Sequence, residues 1–482
     1  MQNRQKITFG EKVGYSLGDV AVNLVFQMMM IYQLKFYTDV FGLSGAVAGG
    51  VLLVAPMASA FADPLVGLIT DRTSTRWGKY RPWLLWTAVP FCTFYVLAFN
   101  NPGIEDKGLL AVYATVSYVL LLAMYSFNNT PYASLGGVMT SDIRERTSIN
   151  SIRFIASTVA QFVVQGFTLP LVARLGGSNA SMGWSRTILL FALLAFVLLV
   201  VCFLSTRERI APPPRQQKSV RRDIRETFGS VSWRAMFFLC FSLYIALAVC
   251  GSAMNFYFQS YLDRHSLFEF LRSLHLASHE GQAYSVGFSL FNIVNAVVQF
   301  FGVMFLSGRL ADRYGKKTVY IACLSLTVLL QGLFFLPGAT DVKSVYLLCF
   351  LKSLAYAPTI PLMWAMVADV ADHIEYLNHR RATGFCFSGV MFALKLGLGF
   401  GGALAGLLLS FFGYVPGGVA VQGETAVQGI RLVASIVPAA LFCIGLAALA
   451  FYPITMRYNE NMQAELASRR LRAGEGANGN IL

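Results

Sequence analysis

Charged side chains are scarce in this chain, and acidic ones are the scarcest. Only 13% of the 482 residues are charged, and 24 acidic residues stand against 38 basic ones, which gives a formal net charge of +14. Soluble domains average about 25% charged residues, so the composition argues against a soluble protein. The basic residues lie in short connections between apolar runs rather than on one surface, and we therefore expect no nucleic-acid partner.

Grouped cysteines and histidines are also lacking. The eight cysteines occur singly within or beside apolar runs, at none of the paired spacings that a zinc site or a redox motif requires. All five histidines lie in connections, and only His275 and His279 have a spacing that suits a metal on a short helix. Solvated loop residues are the commoner explanation for that pair. We expect no cofactor, no catalytic constellation and no enzymatic activity.

The chain is instead rich in long apolar runs. Hydrophobic residues make up 56% of the chain, and its mean hydropathy is +0.58. The runs can cross about 30 Å of hydrocarbon, which predicts an all-α membrane protein with about twelve transmembrane helices. The predicted spans are residues 12–38, 45–70, 83–100, 109–133, 152–174, 186–205, 233–261, 284–308, 319–337, 345–368, 385–412 and 431–454.

The distribution of Lys and Arg predicts the orientation of these spans. Every second connection and the C-terminal tail hold most of the basic residues, so these connections and both termini are expected to face the cytoplasm. The N-terminal residues show no short apolar segment followed by a small-residue cleavage site. We therefore expect the first span to remain as a signal-anchor.

The longest polar connection divides the chain near its middle. Prolines at Pro212–Pro214 and the basic pair Arg221–Arg222 are typical of a linker. The expected units are a six-helix bundle in residues 1–205, a cytoplasmic loop in residues 206–232, a second six-helix bundle in residues 233–456 and a mobile cytoplasmic tail in residues 457–482. Between two spans of the second bundle, Asp263–Ala283 predicts an amphipathic helix at the outer surface.

A short motif recurs in the two halves. GLITDR at 67–72 follows the second span, and GRLADR at 308–313 follows the corresponding span of the second half. Such a repeat indicates the major facilitator architecture, in which a central cavity opens alternately to each side. Two explanations fit the motif equally well. The first is a gating role, and the second is a helix cap combined with a basic anchor on the cytoplasmic side. The gating candidates are Asp71, Arg72, Asp312 and Arg313.

Polar residues inside the spans form stripes with a period of four, which places each stripe on one helix face. The first span carries Tyr15, Asp19, Asn23 and Gln27, and the fifth carries Arg153, Ser157, Gln161 and Gln165. A stripe facing lipid would be costly, so these faces line a cavity or a helix interface. In the fourth span, Asn128–Pro131 predicts a local unwinding, beside Tyr125, Ser126 and Asn129 on one face.

Four charged residues within spans are the strongest functional candidates, because neutral amides make structural hydrogen bonds at lower cost. They are Asp19, Asp63, Arg153 and Lys395. For the amides Asn292, Asn295 and Gln299 of the second half, hydrogen bonding between helices is as good an explanation as substrate contact. Lys352 lies toward the outer end of its span, where a snorkelling side chain is expected. Trp364 could stack on a sugar ring or serve in packing.

Several segments, in order and at matching spans, resemble the glycoside–pentoside–hexuronide:cation symporters, to which the melibiose permease belongs. The segments are GYSLGDVAVN, LKFYTDVFGLS, ADPLVGLITDRTSTRWGKYRPW, NNTPYASL, INSIRFIAS, MVADVADHIEY and ALKLGLG. The resemblance covers the chain from about Gly10 to Met456. It implies cation-driven uptake of a sugar or glycoside by a multi-pass protein of a bacterial inner membrane, which we expect to be a monomer.

The resemblance also implies roles for particular residues. Asp19 and Arg153 match positions that hold sugar hydroxyls, and Tyr125 matches an aromatic of that pocket. Asp63 matches a cation-site carboxylate, and Lys395 a basic residue close to it. We also expect Asn23, Asn129 and Trp364 to contact substrate, and Ser59 and Ser126 to lie at the cation site.

Two departures from melibiose permease bear on coupling. One turn before Asp63, Ser59 replaces a second acid, and Asn129 replaces a sugar-binding acid of the fourth helix. Sodium needs several oxygen ligands and enough negative charge to replace its water, whereas a proton needs one carboxylate of suitable pKa. The sequence therefore favours H⁺ as the coupling ion. Na⁺ remains the alternative, with Ser59, Ser126 and backbone carbonyls completing a shell around Asp63.

The substrate stays open at this point. A neutral glycoside would use Asp19 and Arg153 as a hydroxyl-binding pair, whereas a hexuronide would place its carboxylate on Arg153. Lipid-like or other organic cargo, moved by a facilitator or a symporter, is the alternative within transport. A sensor built on a transporter scaffold is the alternative of another class.

Overall fold

The computed structural model describes residues 7–73, 75–140, 143–177, 179–209, 227–378, 383–417 and 422–478. Within those ranges, a few helical residues have side chains outside the described set, and Asp63, Asp71 and Arg72 are among them. All regular structure in the described ranges is helical, apart from one isolated bridge between Thr75 and Gly78.

Seventeen α-helices follow one another along the described chain. They are α1 (Phe9–Lys35), α2 (Gly45–Arg72), α3 (Arg81–Ala98), α4 (Lys107–Val138), α5 (Ile143–Gly176), α6 (Ala180–Ser205), α7 (Val231–Phe256), α8 (Arg264–Ser273), α9 (Ala283–Gly302), α10 (Gly308–Tyr314), α11 (Lys316–Leu333), α12 (Val342–Tyr356), α13 (Thr359–Asn378), α14 (Thr383–Phe411), α15 (Glu424–Ala434), α16 (Ile436–Ala450) and α17 (Met456–Asn478). Single π-helical turns extend α1, α7 and α9.

The helices coincide with the spans that the apolar runs predict. Nine helical stretches of the described chain are long and apolar enough to cross a bilayer. Helices α2, α3 and α11 occupy the other predicted spans, so the predicted fold class is confirmed. The tenth span is divided between α12 and α13, where Pro358 lacks the N–H that would continue the helix.

Capping side chains determine where several helices begin. Thr8, Ser44, Asp106 and Ser230 precede α1, α2, α4 and α7, and each side-chain oxygen accepts a hydrogen bond from a backbone N–H three residues on. The unwinding predicted near Pro131 is wrong, because α4 runs unbroken through it. Neighbouring helices compensate for a proline in a membrane helix.

We refer to helices α1–α6 as the first half and to α7–α16 as the second half, after the predicted division of the chain. We call the end at which α1, α3 and α5 begin the basic end, and the end at which α2, α4 and α6 begin the opposite end. Helix α8 lies at the opposite end and buries Leu267 and Leu271, which confirms the helix predicted there. Hydrogen bonds from Ser266 cap α8 and lower the pKa of Asp263 below its usual range.

The C-terminal segment is helical from Met456 to Asn478, and the mobility expected of the tail stays a prediction. Helix α17 packs against α13 at the basic end. Tyr458 shares a 3.0 Å hydrogen bond with His373, and the Gln463 amide donates to Asp372 at 2.8 Å. These contacts fix the start of the tail to the second half.

Glycines allow α2 and α14 to touch across the two halves near the opposite end. A Cβ at Gly406 would lie 2.2 Å from the carbonyl oxygen of Gly45, and a Cβ at Gly49 would lie 2.8 Å from that of Ala403. Gly45 and Gly49, like Gly402 and Gly406, are four residues apart, which is the small-residue spacing of closely packed membrane helices.

We expect Gly406→Leu to force α2 and α14 apart at the opposite end, because no side chain fits there. The Ala46 N–H, which donates to Ser410 at 2.8 Å, should then exchange with solvent deuterium at least about tenfold faster. Hydrogen exchange of the purified protein, read by mass spectrometry, measures this. Gly50→Leu is the matched control, since a Cβ at Gly50 meets nothing within 4 Å. Unchanged exchange in Gly406→Leu would contradict the close approach.

Candidate functional site

An acid and an arginine face each other between α1 and α5. The Asp19 carboxylate lies 4.0 Å from the Arg153 guanidinium, and their side chains are 16% and 38% exposed. Direct charged hydrogen bonds are shorter, at about 2.7–2.9 Å. The carboxylate accepts no hydrogen bond from any described residue, so both groups keep capacity for a ligand. The structure thus brings together the two residues that the stripes on α1 and α5 singled out.

The other members of the α1 stripe have different surroundings. Tyr15 is buried and stacks on Tyr132 with 4.7 Å between ring centroids. The Tyr15 hydroxyl donates to the Tyr132 carbonyl at 3.2 Å, and the Tyr132 hydroxyl donates to the Tyr15 carbonyl at 3.0 Å, which is a structural contact between helices. Asn23 donates to the Asp19 carbonyl at 2.9 Å and so remains beside the pair. Gln27 accepts a hydrogen bond from Gln165 at 3.2 Å, nearer the opposite end.

A central cavity of 210 Å³ lies between the halves at mid-depth. Its polar lining residues are Ser59, Tyr118, Tyr125, Asn129, Ser252 and Lys395, and Met, Leu and Pro side chains form most of the rest. Such a mixture suits a ligand with an apolar face and a few hydroxyl groups. Tyr125 and Asn129 therefore lie on the wall of a cavity, and their contact with substrate stays a prediction.

Three predicted cation-site residues meet beside this cavity. The Ser59 and Ser126 hydroxyls are 3.2 Å apart, and the Lys395 ammonium lies 3.5 Å from the first and 3.3 Å from the second. They come from α2, α4 and α14, so the cluster joins both halves. Asp63 follows Ser59 by one turn of α2, and its side chain lies outside the described residues.

The remaining predicted residues lie elsewhere. Trp364 stacks on Phe387 with planes 4° apart and is not a lining residue of the central cavity. Asp312 and Arg313 are exposed at the basic end, and neither forms an ion pair with a described residue. The Asp71 and Arg72 side chains lie outside the described set. Three residues after the second motif, the Lys316 ammonium donates hydrogen bonds to both Asp369 carboxylate oxygens at 2.7 Å.

A second cavity, of 280 Å³, lies on the side of α9, α11 and α12 and also touches α1 and α5. We call it the amide cavity, because seven carboxamides line it: Gln27, Gln161, Gln165, Asn292, Asn295, Gln299 and Gln331. Lys352 lines it too, so the prediction of a snorkelling lysine is wrong. Lys352 is ten residues into α12, about 15 Å from its start, and α12 turns it toward the bundle rather than toward lipid.

A cluster that the sequence analysis missed seals the opposite end. Lys35 pairs with Asp39 at 2.7 Å within one helical turn, and their side chains are 8% and 9% exposed. Two bonds then cross between the halves, since Lys35 donates to Gln259, and Tyr414 donates to Asp39 at 2.8 Å. We call these four residues the opposite-end cluster. The only signal in the sequence was the four-residue spacing of Lys35 and Asp39 at the end of the first span.

Comparisons with known proteins cover nearly the whole chain. The model of a family described as MFS/sugar transport protein matches residues 14–456. Two relatives from Escherichia coli (strain K12) are each 33% identical: the inner membrane symporter YicJ, over 96% of this chain and 95% of its own length, and the putative glycoside/cation symporter YagG, over 98% and 97%. The solved structure of a D-xylose–proton symporter has a TM-score of 0.60 at 15% identity, over 92% of this chain and 97% of that one, which is a likeness of fold.

Proposed function

The chain belongs to the MFS/sugar transport protein family, as the resemblance in its sequence predicted, and we propose that it is a cation-coupled symporter of a sugar or glycoside. The family and the similar proteins are transporters, which supports a carrier rather than an enzyme. The observation that carries the proposal is the Asp19–Arg153 pair, held 4.0 Å apart between α1 and α5. A sugar hydroxyl placed between them donates to the carboxylate and accepts from the guanidinium.

The closed opposite end supports transport by alternating access. The opposite-end cluster and the α2–α14 crossing hold the halves together there. Among the described residues, the hydrogen bonds that cross between the two halves join α14 to α2 and α4 at mid-depth, or lie at this end. The opposite-end cluster is polar and the α2–α14 crossing is formed by small residues. Both contacts can therefore separate when one half rotates against the other. In alternating access, closure at one end goes with opening at the other, so we propose that this state opens toward the basic end.

We place the basic end in the cytoplasm of an inner-membrane protein, on the positive-inside distribution and on the similarity to the inner membrane symporter YicJ. In that orientation the structure is inward-facing. The substrate enters from the opposite side, binds at Asp19 and Arg153, and leaves toward the basic end. Asn23, Tyr125 and Asn129 complete the proposed substrate contacts, while Trp364 remains a contact candidate on α13 only through the resemblance.

We favour H⁺ over Na⁺ as the coupling ion. The Lys395 ammonium lies within 3.5 Å of Ser59 and 3.3 Å of Ser126, the hydroxyls that a sodium shell would need. A neighbouring positive charge opposes the binding of a metal cation. Asp63, the only acid within its span, then takes up and releases the proton.

Proteoliposomes with an imposed gradient test this proposal. We expect uphill uptake of a labelled glycoside when the lumen is alkaline, unchanged when choline replaces Na⁺, and abolished by a protonophore. Competition by unlabelled glycosides, pentosides and glucuronides then ranks the substrates. Uptake that requires a sodium gradient would overturn proton coupling, and absence of sugar uptake under either gradient would overturn the sugar-symporter proposal.

A further inference from the structure

The amide cavity has a chemistry that the proposed sugar site does not use. Its carboxamides come from both halves: Gln27, Gln161 and Gln165 from α1 and α5, and Asn292, Asn295, Gln299 and Gln331 from α9 and α11. Each carboxamide offers donors and an acceptor, so the wall can bind hydroxyl groups in either sense. Structural hydrogen bonding alone would not require a cavity of 280 Å³ at their centre.

Two atoms of this wall retain unused hydrogen-bonding capacity. The Gln165 Oε1 and Asn292 Nδ2 atoms are buried, and neither has a partner among the described residues. A buried polar atom without a partner costs about 1–3 kcal/mol. Other amides of the wall are engaged, for example Asn295, which accepts from Ser353 at 2.6 Å and from Gln299 at 3.0 Å. The cavity wall therefore has amides that are held in place by hydrogen bonds, together with one free acceptor, Gln165 Oε1, and one free donor, Asn292 Nδ2, among the described residues.

The amide cavity carries a positive charge. Among the described residues that line it, Lys352 is the only charged one. Its ammonium contacts the Cys250 sulfur at 3.7 Å and lies 5.4 Å from the Phe334 ring centroid, and no described carboxylate pairs with it. A thiol is a weak acceptor. Lysines inside membrane helices normally pair with an acid or line a solute path.

We propose that the amide cavity is a second substrate subsite, which holds the anionic group of a polyhydroxylated solute on Lys352. This inference rests on the proposed function, because the solute must reach the cavity through the carrier. Gln27 lies eight residues after Asp19 on α1, and Gln161 lies eight residues after Arg153 on α5. The subsite is therefore about 12 Å closer to the opposite end than the Asp19–Arg153 pair. Met30 lines both this cavity and the central one, which makes them neighbours. Carboxylates and sulfonates share the required chemistry.

The test compares matched neutral and acidic sugars. In transport assays with methyl glucoside and the corresponding methyl glucuronide, Lys352→Gln should raise the KM of the glucuronide about tenfold or more, while that of the glucoside changes less than about twofold. Lys352→Arg should restore part of the glucuronide transport. Lys343→Gln is the control, because Lys343 lies exposed on the first turn of the same helix.

Binding to the purified protein separates this inference from the proposed function. Methyl glucuronide should raise the Tm of the wild type more than that of Lys352→Gln, whether or not transport is measured. An equal KM increase for both sugars, no change for either, or the same thermal shift in both proteins would overturn the subsite. Loss of the subsite with intact glucoside uptake would leave the symporter proposal standing. A Lys352-dependent thermal shift without transport of either sugar would show a binding site that holds no transported substrate, and would overturn the cavity as a substrate subsite.

Discussion

Asp63→Asn is expected to abolish uphill accumulation while exchange of substrate across the membrane continues. The substitution keeps size and polarity but removes the group that titrates, so the bundle moves without a proton. One charge carried inward yields about 2.3 kcal/mol per 100 mV, which at about 1.4 kcal/mol per decade sustains about fifty-fold accumulation. The accumulation ratio of the variant should fall to about one. Labelled substrate in energised vesicles measures uptake, and counterflow in de-energised vesicles measures exchange.

Glu105→Gln is the matched control for this loss of charge. Glu105 is an exposed acid in the connection before α4, and its substitution should leave the accumulation ratio at the wild-type value. Accumulation that persists in Asp63→Asn would rule out the coupling role. Loss of exchange together with accumulation would instead point to a role for Asp63 in folding or substrate binding.

Uptake and exchange should both be strongly reduced by Asp19→Asn and by Arg153→Gln. Each removes one charged partner of a sugar hydroxyl, and a hydrogen bond to a charged group contributes about 1.5–3 kcal/mol. The KM for the substrate should therefore rise about ten- to hundredfold in each variant. Because the two groups act on one hydroxyl, the double variant should lose less than the sum of the two single losses. Transport kinetics and binding by calorimetry provide the two readouts.

Lys12→Gln is the control for disturbing the same helix pair. Lys12 of α1 pairs with Glu145 of α5 at 2.8 Å, nearer the basic end than Asp19 and Arg153. Its loss should leave the substrate KM within about twofold, because Lys12 is seven residues before Asp19, about 10 Å away along α1, and is not a proposed substrate contact. If the control raised the KM as much as Arg153→Gln does, the effect would reflect the packing of α1 on α5 rather than substrate binding.

Regular polar stripes indicated that Asp19 and Arg153 each face a cavity or a helix interface, and the family resemblance implied that the two residues act together. The same logic did not predict the surroundings of Lys352. Its position along α12 suggested snorkelling, and only the packing of α12 beside α9 and α11 turns it into the amide cavity. The opposite-end cluster was likewise beyond the sequence, because Gln259 and Tyr414 are more than 200 residues from Lys35 and Asp39 along the chain.

In the segment from Asn128 to Pro131, the sequence predicted an interruption that the structure does not have. Its residue types favour an interruption, yet α4 is continuous, and the Asn128 amide donates to Thr87 of α3 at 2.8 Å. The neighbouring helix supplied a partner that no local pattern could reveal. Local propensity in membrane helices is therefore overridden by the bundle around them.

The sequence by itself determined the membrane class, the number and limits of most spans, the family and the charged residues of the carrier. A bilayer requires each spanning segment to be apolar and to satisfy its own backbone, so these properties are written locally along the chain. Only the tertiary structure decided which polar faces meet, where the two cavities lie and which end of the bundle is closed. Those properties depend on side chains from distant helices, whose positions are fixed by packing between the helices rather than by the order of residues within any one of them.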